Sequence, residues 1–323
     1  SLGNLVNDLN RAIIEGPYAD QYREHYGDYV YQSMVDALRL NSSEVEALKQ
    51  RRNQLNIDYN NNLTTMTLEA DGQTFTMDDI YSYAEEDPEK AYEYLIRFYK
   101  DNAEQFTAYY AEMIELDRET AEKLGFDSPA AMYYLSYTRD YTPDDAMGYV
   151  ENTKKILVPM ANEVSAIQTY RIPMEYDDAL STIPWAVSLV DTNLGKVWNS
   201  MMEYGVHDFE SLPNKQSGGF TTTLYGYDTP FAYTNWAEDL SSASTMIHEF
   251  GHFYDSWIRY DEDVVQNLDI AEVYSQGLEL LTSKYYEKFT EYPDEGRQAM
   301  LSRFINPLIY QLMLEEFQQE VYK

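Results

Sequence analysis

The segment Thr245–Trp257, TMIHEFGHFYDSW, contains two of the four histidines in the chain, separated by one helical turn. Apolar residues recur around it every three or four positions, and this pattern predicts one helix over residues 240–259. At 3.6 residues per turn, His248 and His252 lie on the same face of that helix. Glu249 follows the first histidine directly. This HExxH spacing is typical of a helix that offers two imidazoles to one metal ion, with a carboxylate beside it that can take a proton from metal-bound water.

A catalytic zinc site needs a third protein ligand and leaves its fourth position to water. After the histidines comes a polar segment, DEDVVQNLD at 261–269, and then a second predicted helix that Asp269 can cap. Glu272 stands in the first predicted turn, where it can face the same ion if the two helices fold back on each other. A carboxylate at a helix N-terminus also has a purely structural explanation, the helix dipole. Three further carboxylates compete for the ligand role: Glu262, Asp263 and Glu279.

The composition limits the classes of protein to which the chain can belong. It has 323 residues, of which 44% are apolar, enough for one large or two ordinary domains with a hydrophobic core. The formal charge of −33 argues against a nucleic-acid partner. Cysteine is absent, which excludes disulfides and thiolate metal sites. No apolar run approaches the ~18 residues of a membrane span, and the first residues lack a signal-peptide pattern.

Periodicity predicts a mainly α protein with a small β element. Helical patterns dominate residues 78–124; Gly125 ends a helix and Pro129 lies in the first turn of the next. Alternating residues around an Asp-Gly pair predict a β-hairpin within 64–77. The segment GGFTTTLYGYDTPFAYTNW, residues 218–236, has strand-like flanks around a turn and forms the second predicted β element.

Three of these blocks together resemble the oligoendopeptidase F and thimet oligopeptidase family of zinc peptidases. HEFGH at 248–252 resembles the zinc helix of the family, and EVYSQGLE at 272–279 resembles its second zinc helix. Residues 218–236 resemble its glycine-rich segment and the edge strand that pairs with the substrate backbone beside the cleft. Weaker similarity extends upstream to residue 116. The two zinc motifs are the most specific part of this resemblance.

The resemblance implies a mainly α, multi-helix, clam-like metallopeptidase fold with an edge-strand hairpin beside the zinc helices. Residues 1–115 are expected to form an N-terminal helical region that includes the first hairpin, and residues 116–323 the catalytic region. The implied activity is a zinc-dependent endopeptidase with one zinc ion that hydrolyses short peptides, without nucleic-acid or membrane partners. The family suggests a cytoplasmic location, and export is the alternative.

The resemblance also assigns roles to individual residues. His248, His252 and Glu272 are the expected zinc ligands, and Glu249 is the expected general base and acid. The residues expected to bind the substrate are Gly218, Gly219, Phe231, Ala232 and Tyr233, with Tyr225 and Tyr227 as further candidates for the pocket. The residues expected to orient the ligands are Ser275, Gln276 and Glu279, with Asp255 as another candidate. A plain hairpin turn also explains the glycine pair, and ordinary packing explains the tyrosines.

One feature departs from the family pattern. Family members continue beyond their second zinc helix into a part that carries a tyrosine and a nearby histidine. Both of these residues form hydrogen bonds to the oxyanion. No histidine follows His252 here, and the later tyrosines match no such motif. We therefore expect the chain to be a fragment, or its remaining part to be supplied separately. Because oxyanion stabilisation contributes ~10²–10³ in rate, residues 1–323 alone are expected to hydrolyse peptides poorly.

Two other interpretations fit the same residues. The first is a non-enzymatic helical module that binds a peptide or protein and has a structural or vestigial metal site. A structural zinc site would need a fourth protein ligand, and no further histidine or cysteine stands near the motif. The second is a zinc peptidase of another helical family, with the same ligands and base but a different cleft.

Overall fold

A computed structural model of the chain describes most of its residues, and helix dominates them, so the prediction of a mainly α fold is confirmed. None of the described helices is long and apolar enough to cross a membrane. The boundary between the N-terminal helical region, residues 1–115, and the catalytic region, residues 116–323, stays a prediction. The described residues are 2–84, 86–165, 171–212, 215–216, 218–259 and 268–323. The chain divides into a first unit, residues 1–136, 140–143 and 317–323, and a second unit, residues 137–139 and 144–316.

The first unit contains seven helices and a two-stranded antiparallel hairpin in its described residues. Asp71 and Gly72 both have positive φ, 50° and 75°, which is the backbone conformation of a two-residue hairpin turn. The Thr76 side chain and Asp79 form a capping box that begins the fourth helix. The elements are α1 Leu2–Ile14, α2 Ala19–Leu40, α3 Glu46–Thr65, β1 Leu68–Ala70, β2 Gln73–Phe75, α4 Met77–Tyr83, α5 Pro88–Asp101, α6 Ala103–Lys123 and α7 Pro129–Ser136.

A buried carboxylate ties together distant parts of the first unit. Asp117 is 2% exposed and accepts hydrogen bonds from Arg52 Nε at 2.6 Å, Tyr133 OH at 2.8 Å and Tyr322 OH at 2.9 Å. Burial and the negative charge of Asp117 raise the pKa of both tyrosines, so their hydroxyls stay protonated and donate. The apolar core of this unit lies between the hairpin and α4–α5 and consists of Met66, Leu68, Ala70, Met77, Ile80, Tyr94 and Phe98.

Within its described residues, the second unit contains most of α8 and the later helices, together with three strands. Gly205 ends α10 in the left-handed conformation, with φ 64°. Short 3₁₀ turns lie at Leu268–Ile270 and Tyr286–Lys288. The elements are α8 Pro143–Ser165, α9 Tyr176–Val190, α10 Thr192–Tyr204, β3 His207–Asp208, β4 Gly219–Leu224, β5 Thr229–Thr234, α11 Leu240–Ile258, α12 Val273–Ser283 and α13 Pro293–Val321, whose last residues from Phe317 belong to the first unit.

Helix α11, which carries the histidine pair, is deeply packed in the second unit. It begins after Asp239, whose side chain accepts a hydrogen bond from the backbone N–H of Ser242 at 2.8 Å. The Phe250 ring meets the Trp198 ring edge to face, with ring centroids 5.0 Å apart. This packing fixes the helix and leaves one face open. The other fully buried apolar residues of α11 are Ala243, Met246, Ile247 and Phe253.

The second predicted β element is a hairpin of β4 and β5, but its strand order differs from the expectation. The order is β3-β5-β4, with β5 parallel to β3 and antiparallel to β4. Ala232 and Tyr233 are paired on both sides, with β3 and with β4. β5 is therefore the central strand, and the expectation that Phe231, Ala232 and Tyr233 form an edge strand is wrong. In the described part of the sheet, β4 and the two-residue strand β3 are the edge strands.

Candidate metal centre

Three side chains from α11 and the start of α12 converge on one point. The Nε2 atoms of His248 and His252 are 3.2 Å apart. The Oε2 atom of Glu272 is 3.3 Å from Nε2 of His248 and 3.5 Å from Nε2 of His252. Among the described residues, these three form the one cluster of His, Cys, Asp or Glu side chains with the geometry to hold a metal ion.

These distances suit a tetrahedral zinc ion. Zinc binds imidazole nitrogen and carboxylate oxygen at about 2.0–2.1 Å, so two ligand atoms of a tetrahedral site lie about 3.3 Å apart. The three observed separations of 3.2, 3.3 and 3.5 Å fall around this value. Two imidazoles and one carboxylate are also a ligand set that zinc prefers. The residues present therefore fit the metal that the sequence motif implies.

The close approach of α11 and α12 depends on Gly251, which lies between the two histidines. A Cβ atom at this position would stand 2.5 Å from Ser275 Cα and 2.7 Å from the Tyr274 carbonyl oxygen. These obstacles are backbone atoms of α12, so a side-chain rotation cannot relieve the contact. Glycine at 251 thus lets α12 approach closely enough for Glu272, at its N-terminus, to reach the imidazoles.

Glu249 lies beside the cluster and is held by the β-sheet. Its carboxylate Oε2 lies 2.9 Å from the Thr221 hydroxyl on β4, which also lies 2.8 Å from the backbone carbonyl oxygen of Glu249 and shares its one proton between these two acceptors. The side chain of Glu249 is largely buried. Burial raises the pKa of Glu249 and outweighs the opposing effect of the Thr221 hydrogen bond. A Cβ atom on Gly219 would stand 2.7 Å from Glu249 Oε1, so β4 passes close to this carboxylate. The geometry suits a carboxylate that exchanges protons at the metal.

Glu279 orients the first histidine. Its Oε1 atom lies 2.8 Å from Nδ1 of His248, which leaves Nε2 of that ring directed at the cluster. Burial lowers the pKa of His248, but the hydrogen bond and charge of Glu279 outweigh burial, and the pKa is raised overall. At His252 burial dominates and lowers the pKa, which favours the neutral imidazole that binds metals.

Of the candidates for the third ligand that the structure describes, Glu272 belongs to the cluster and Glu279 does not. Glu279 binds the opposite nitrogen of His248 and is not part of the three-atom cluster. Glu262 and Asp263 lie outside the described residues. Glu272 occupies the N-cap position of α12 instead of its first turn. The expectation that Asp269 caps this helix is wrong, because Asp269 lies in the preceding 3₁₀ turn and pairs with Arg139 at 3.2 Å.

The other predicted residues fall into two groups. Ser275 donates to Glu272 Oε2 at 2.6 Å, so it contacts a cluster member directly, whereas Gln276 is exposed on α12. Gly219 is among the residues around a cavity of about 370 Å³ at the cluster, which also include Phe220, Thr221, Asp255 and Ser256. Gly218 precedes this strand with φ 93°. Phe231, Ala232, Tyr233, Tyr225 and Tyr227 do not line the cavity, and the last two are 90% and 84% exposed on the hairpin turn.

Sequence reasoning missed two residues of the site. Thr221, which bonds Glu249, stands in a run of three threonines, and only the strand register distinguishes it from its neighbours. Gly251 offered a signal, since a glycine inside an apolar helix often marks a close backbone approach.

Comparison with known proteins agrees with the motifs. Residues 184–323 match the family model described as Peptidase family M3, so the resemblance to this group of peptidases is confirmed over that segment. A search of curated proteins finds no match.

Solved structures of similar fold cover almost the whole chain. A candidate oligoendopeptidase F is 23% identical with a TM-score of 0.77, covering 99% of this chain and 62% of that one. PZ peptidase A, solved with an inhibitor, is 21% identical with a TM-score of 0.77, covering 99% and 63%. A candidate oligoendopeptidase F from Bacillus anthracis is 19% identical with a TM-score of 0.76, covering 99% and 65%. The chain thus shares their fold and spans less than two thirds of their length.

Proposed function

We propose that the chain carries the zinc-binding catalytic site of a metalloendopeptidase that hydrolyses short peptides. The observation that carries this proposal is the convergence of His248, His252 and Glu272 at tetrahedral spacing, with Glu249 beside them. The match of residues 184–323 to Peptidase family M3 supports the reaction class. The preference for short peptides rests on the oligopeptidases whose fold the chain shares.

The residues of the chain divide the chemistry among them. When bound, a zinc ion supplies Lewis-acid activation of water and of the scissile carbonyl. His248, His252 and Glu272 would hold the ion, and a site with three protein ligands would leave a position for water or substrate. Glu249 takes the proton of the attacking water and later gives it to the leaving amine. Thr221 fixes the carboxylate of Glu249 for both steps, because its hydroxyl donates to Oε2.

The peptide backbone is proposed to pair with β4. This strand has an unpaired edge within the described sheet, and Gly219, Phe220 and Thr221 line the cavity at the cluster. An extended peptide on this edge would gain main-chain hydrogen bonds that do not depend on its sequence. The absence of a side chain at Gly219 leaves room for the carboxylate of Glu249 next to that strand. This assignment replaces the pairing with β5, which is paired with β4 along its length and with β3 at Ala232 and Tyr233.

A zinc titration combined with a quenched-peptide assay tests the proposal. The chain should bind one zinc ion, and His252→Ala should abolish that binding. Glu249→Gln should bind zinc as the unmodified chain does but lose the slow peptide cleavage that is expected of that chain, because the amide cannot accept the proton. Cleavage by Glu249→Gln at the unmodified rate, or a chain that binds no zinc, would refute the proposal.

A non-enzymatic binding module is the alternative, and the ligand count distinguishes the two. A structural zinc site is closed by four protein ligands, whereas the cluster has three members among the described residues. The cavity beside the cluster also gives a peptide access to the open position. Both observations favour a catalytic site.

A further inference from the structure

Glu279, which contacts His248, is a buried carboxylate with one oxygen that lacks a hydrogen bond. Its side chain is 3% exposed. Oε1 lies 2.8 Å from His248 Nδ1, while Oε2 has no hydrogen-bond partner among the described residues. A buried carboxylate that is only half satisfied is costly, and its orientation is poorly fixed by one hydrogen bond. Another group is therefore needed to hold it.

Arg303 on α13 is placed to do this. Its Nη1 atom is 3.7 Å from Glu279 Oε2, and among the described residues it is the one lysine or arginine within 4 Å of that carboxylate. At this distance the guanidinium and the carboxylate form an ion pair, but the two atoms are too far apart for a hydrogen bond. Arg303 comes 24 positions after Glu279 in the chain, so no local motif links the two residues.

The other contacts of Arg303 fix it against the histidine helix. Nη1 is 3.5 Å from the carbonyl oxygen of Ser241, and Nη2 is 3.4 Å from Thr245 Oγ1. Both acceptors lie on the same face of α11 as His248, one and two turns before it. The guanidinium therefore spans from α11 to the carboxylate on α12. A cavity of about 470 Å³ on this side, lined by Ser241 and Arg303 among others, leaves the guanidinium room to adjust.

We propose that Arg303 is a positioning residue that holds Glu279 in the orientation in which it accepts the Nδ1–H of His248. In this arrangement Nε2 of His248 carries its lone pair toward the metal. Arg303 does not touch the metal or the substrate and acts through two intermediate side chains. Groups that orient metal ligands in this way typically change metal affinity 10–100-fold when they are removed. The inference rests on the proposed zinc site.

The test is a double-mutant cycle on zinc affinity, measured by chelator competition with the whole chain. Arg303→Met keeps most of the side-chain length and removes the charge; it should weaken zinc binding about tenfold. Arg303→Lys should recover part of the loss. In a Glu279→Gln background, Arg303→Met should have no further effect, because the carboxylate that it positions is gone. Arg297→Met is the matched control on the same helix, since Arg297 pairs with Glu287 and Asp294; its zinc affinity should stay within about twofold, as for a surface pair.

A second readout separates positioning from a general structural role. The visible absorption of the Co²⁺-loaded chain reports ligand geometry, and it should change in Arg303→Met but not in Arg297→Met. Equal losses of zinc affinity from Arg303→Met in both backgrounds, or no loss at all, would overturn the inference while leaving the proposed zinc site intact. An unmodified chain that binds no zinc would instead overturn the proposed function and this inference with it.

Discussion

Replacing Gly251 with alanine should weaken zinc binding without removing any metal ligand. The new Cβ would lie 2.5 Å from Ser275 Cα and 2.8 Å from the Ser275 backbone nitrogen. Because non-bonded carbon atoms prefer separations of about 3.5–4.0 Å, α12 would have to retreat by roughly 1 Å. Glu272 lies three residues before Ser275 and would move with the helix, so its distances to the two imidazoles would grow.

The expected losses of stability and of zinc affinity in Gly251→Ala depend on which atoms the new Cβ would meet. Overpacking of this sort typically costs about 1–3 kcal/mol of folding stability, and here backbone atoms form the obstacle. A displaced ligand should lower zinc affinity on the order of 10–100-fold, the range found when groups that orient ligands are lost. Zinc competition against a chelator and urea unfolding of the zinc-free chain would measure the two quantities separately.

Gly277 provides a matched control on α12. A Cβ atom there would have no neighbour within 4 Å. Gly277→Ala should therefore leave zinc affinity unchanged, and it should stabilise the chain by about 0.4–1 kcal/mol because alanine favours the helix. Normal zinc affinity in Gly251→Ala would show that the contact at residue 251 does not set the position of the third ligand.

Three further substitutions test other parts of the molecule. Gly219→Ala should keep zinc but lower peptide cleavage on the order of 10²-fold, because the added methyl group displaces the carboxylate of Glu249. Thr221→Val should also keep zinc and lower cleavage about tenfold, since it removes the hydroxyl that fixes that carboxylate. Asp117→Ala should lower the free energy of unfolding by about 3 kcal/mol in urea denaturation, because it leaves the half-buried hydroxyls of Tyr133 and Tyr322 and the partly exposed guanidinium of Arg52 without their acceptor.

Each of these substitutions has a control in the same hairpin or helix. Gly226→Ala places a Cβ in open space, and Thr222→Val changes an exposed threonine of β4; both should cleave peptides at the unmodified rate. Glu119→Gln alters an exposed carboxylate on α6 and should change unfolding by no more than about 0.5 kcal/mol. Loss of zinc in Gly219→Ala or Thr221→Val, or an Asp117→Ala chain as stable as Glu119→Gln, would contradict the assigned roles.

Local patterns in the sequence were sufficient to predict a mainly helical fold and two of the three members of the candidate metal cluster. His248 and His252 share a face because of helical periodicity alone. Gly125 lies just after the end of α6 and has φ 71°, the left-handed conformation that its position predicts. The Asp71–Gly72 turn likewise follows from the conformations those residues favour. Such features depend on neighbours within a few positions, so the sequence displays them directly.

Features that depend on long-range packing were not predictable in the same way. β3 is a two-residue strand without any alternating pattern, yet its parallel pairing makes β5 the central strand and leaves β4 as the edge strand beside the cluster. The start of α12 at Val273 follows from a preceding 3₁₀ turn and not from a side-chain cap. The approach of Arg303 to Glu279 joins two helices through their tertiary arrangement.

The donor atoms of the cluster also bear on which ions the proposed site would admit. A cation such as Ca²⁺ takes six to eight oxygen ligands, and Mg²⁺ likewise prefers oxygen and keeps several of its waters. Two of the three donor atoms here are imidazole nitrogens, which suit zinc and other late first-row metals. Hard cations should therefore bind weakly, and the choice of ion would rest on the chemistry of the side chains that the contact at Gly251 brings together.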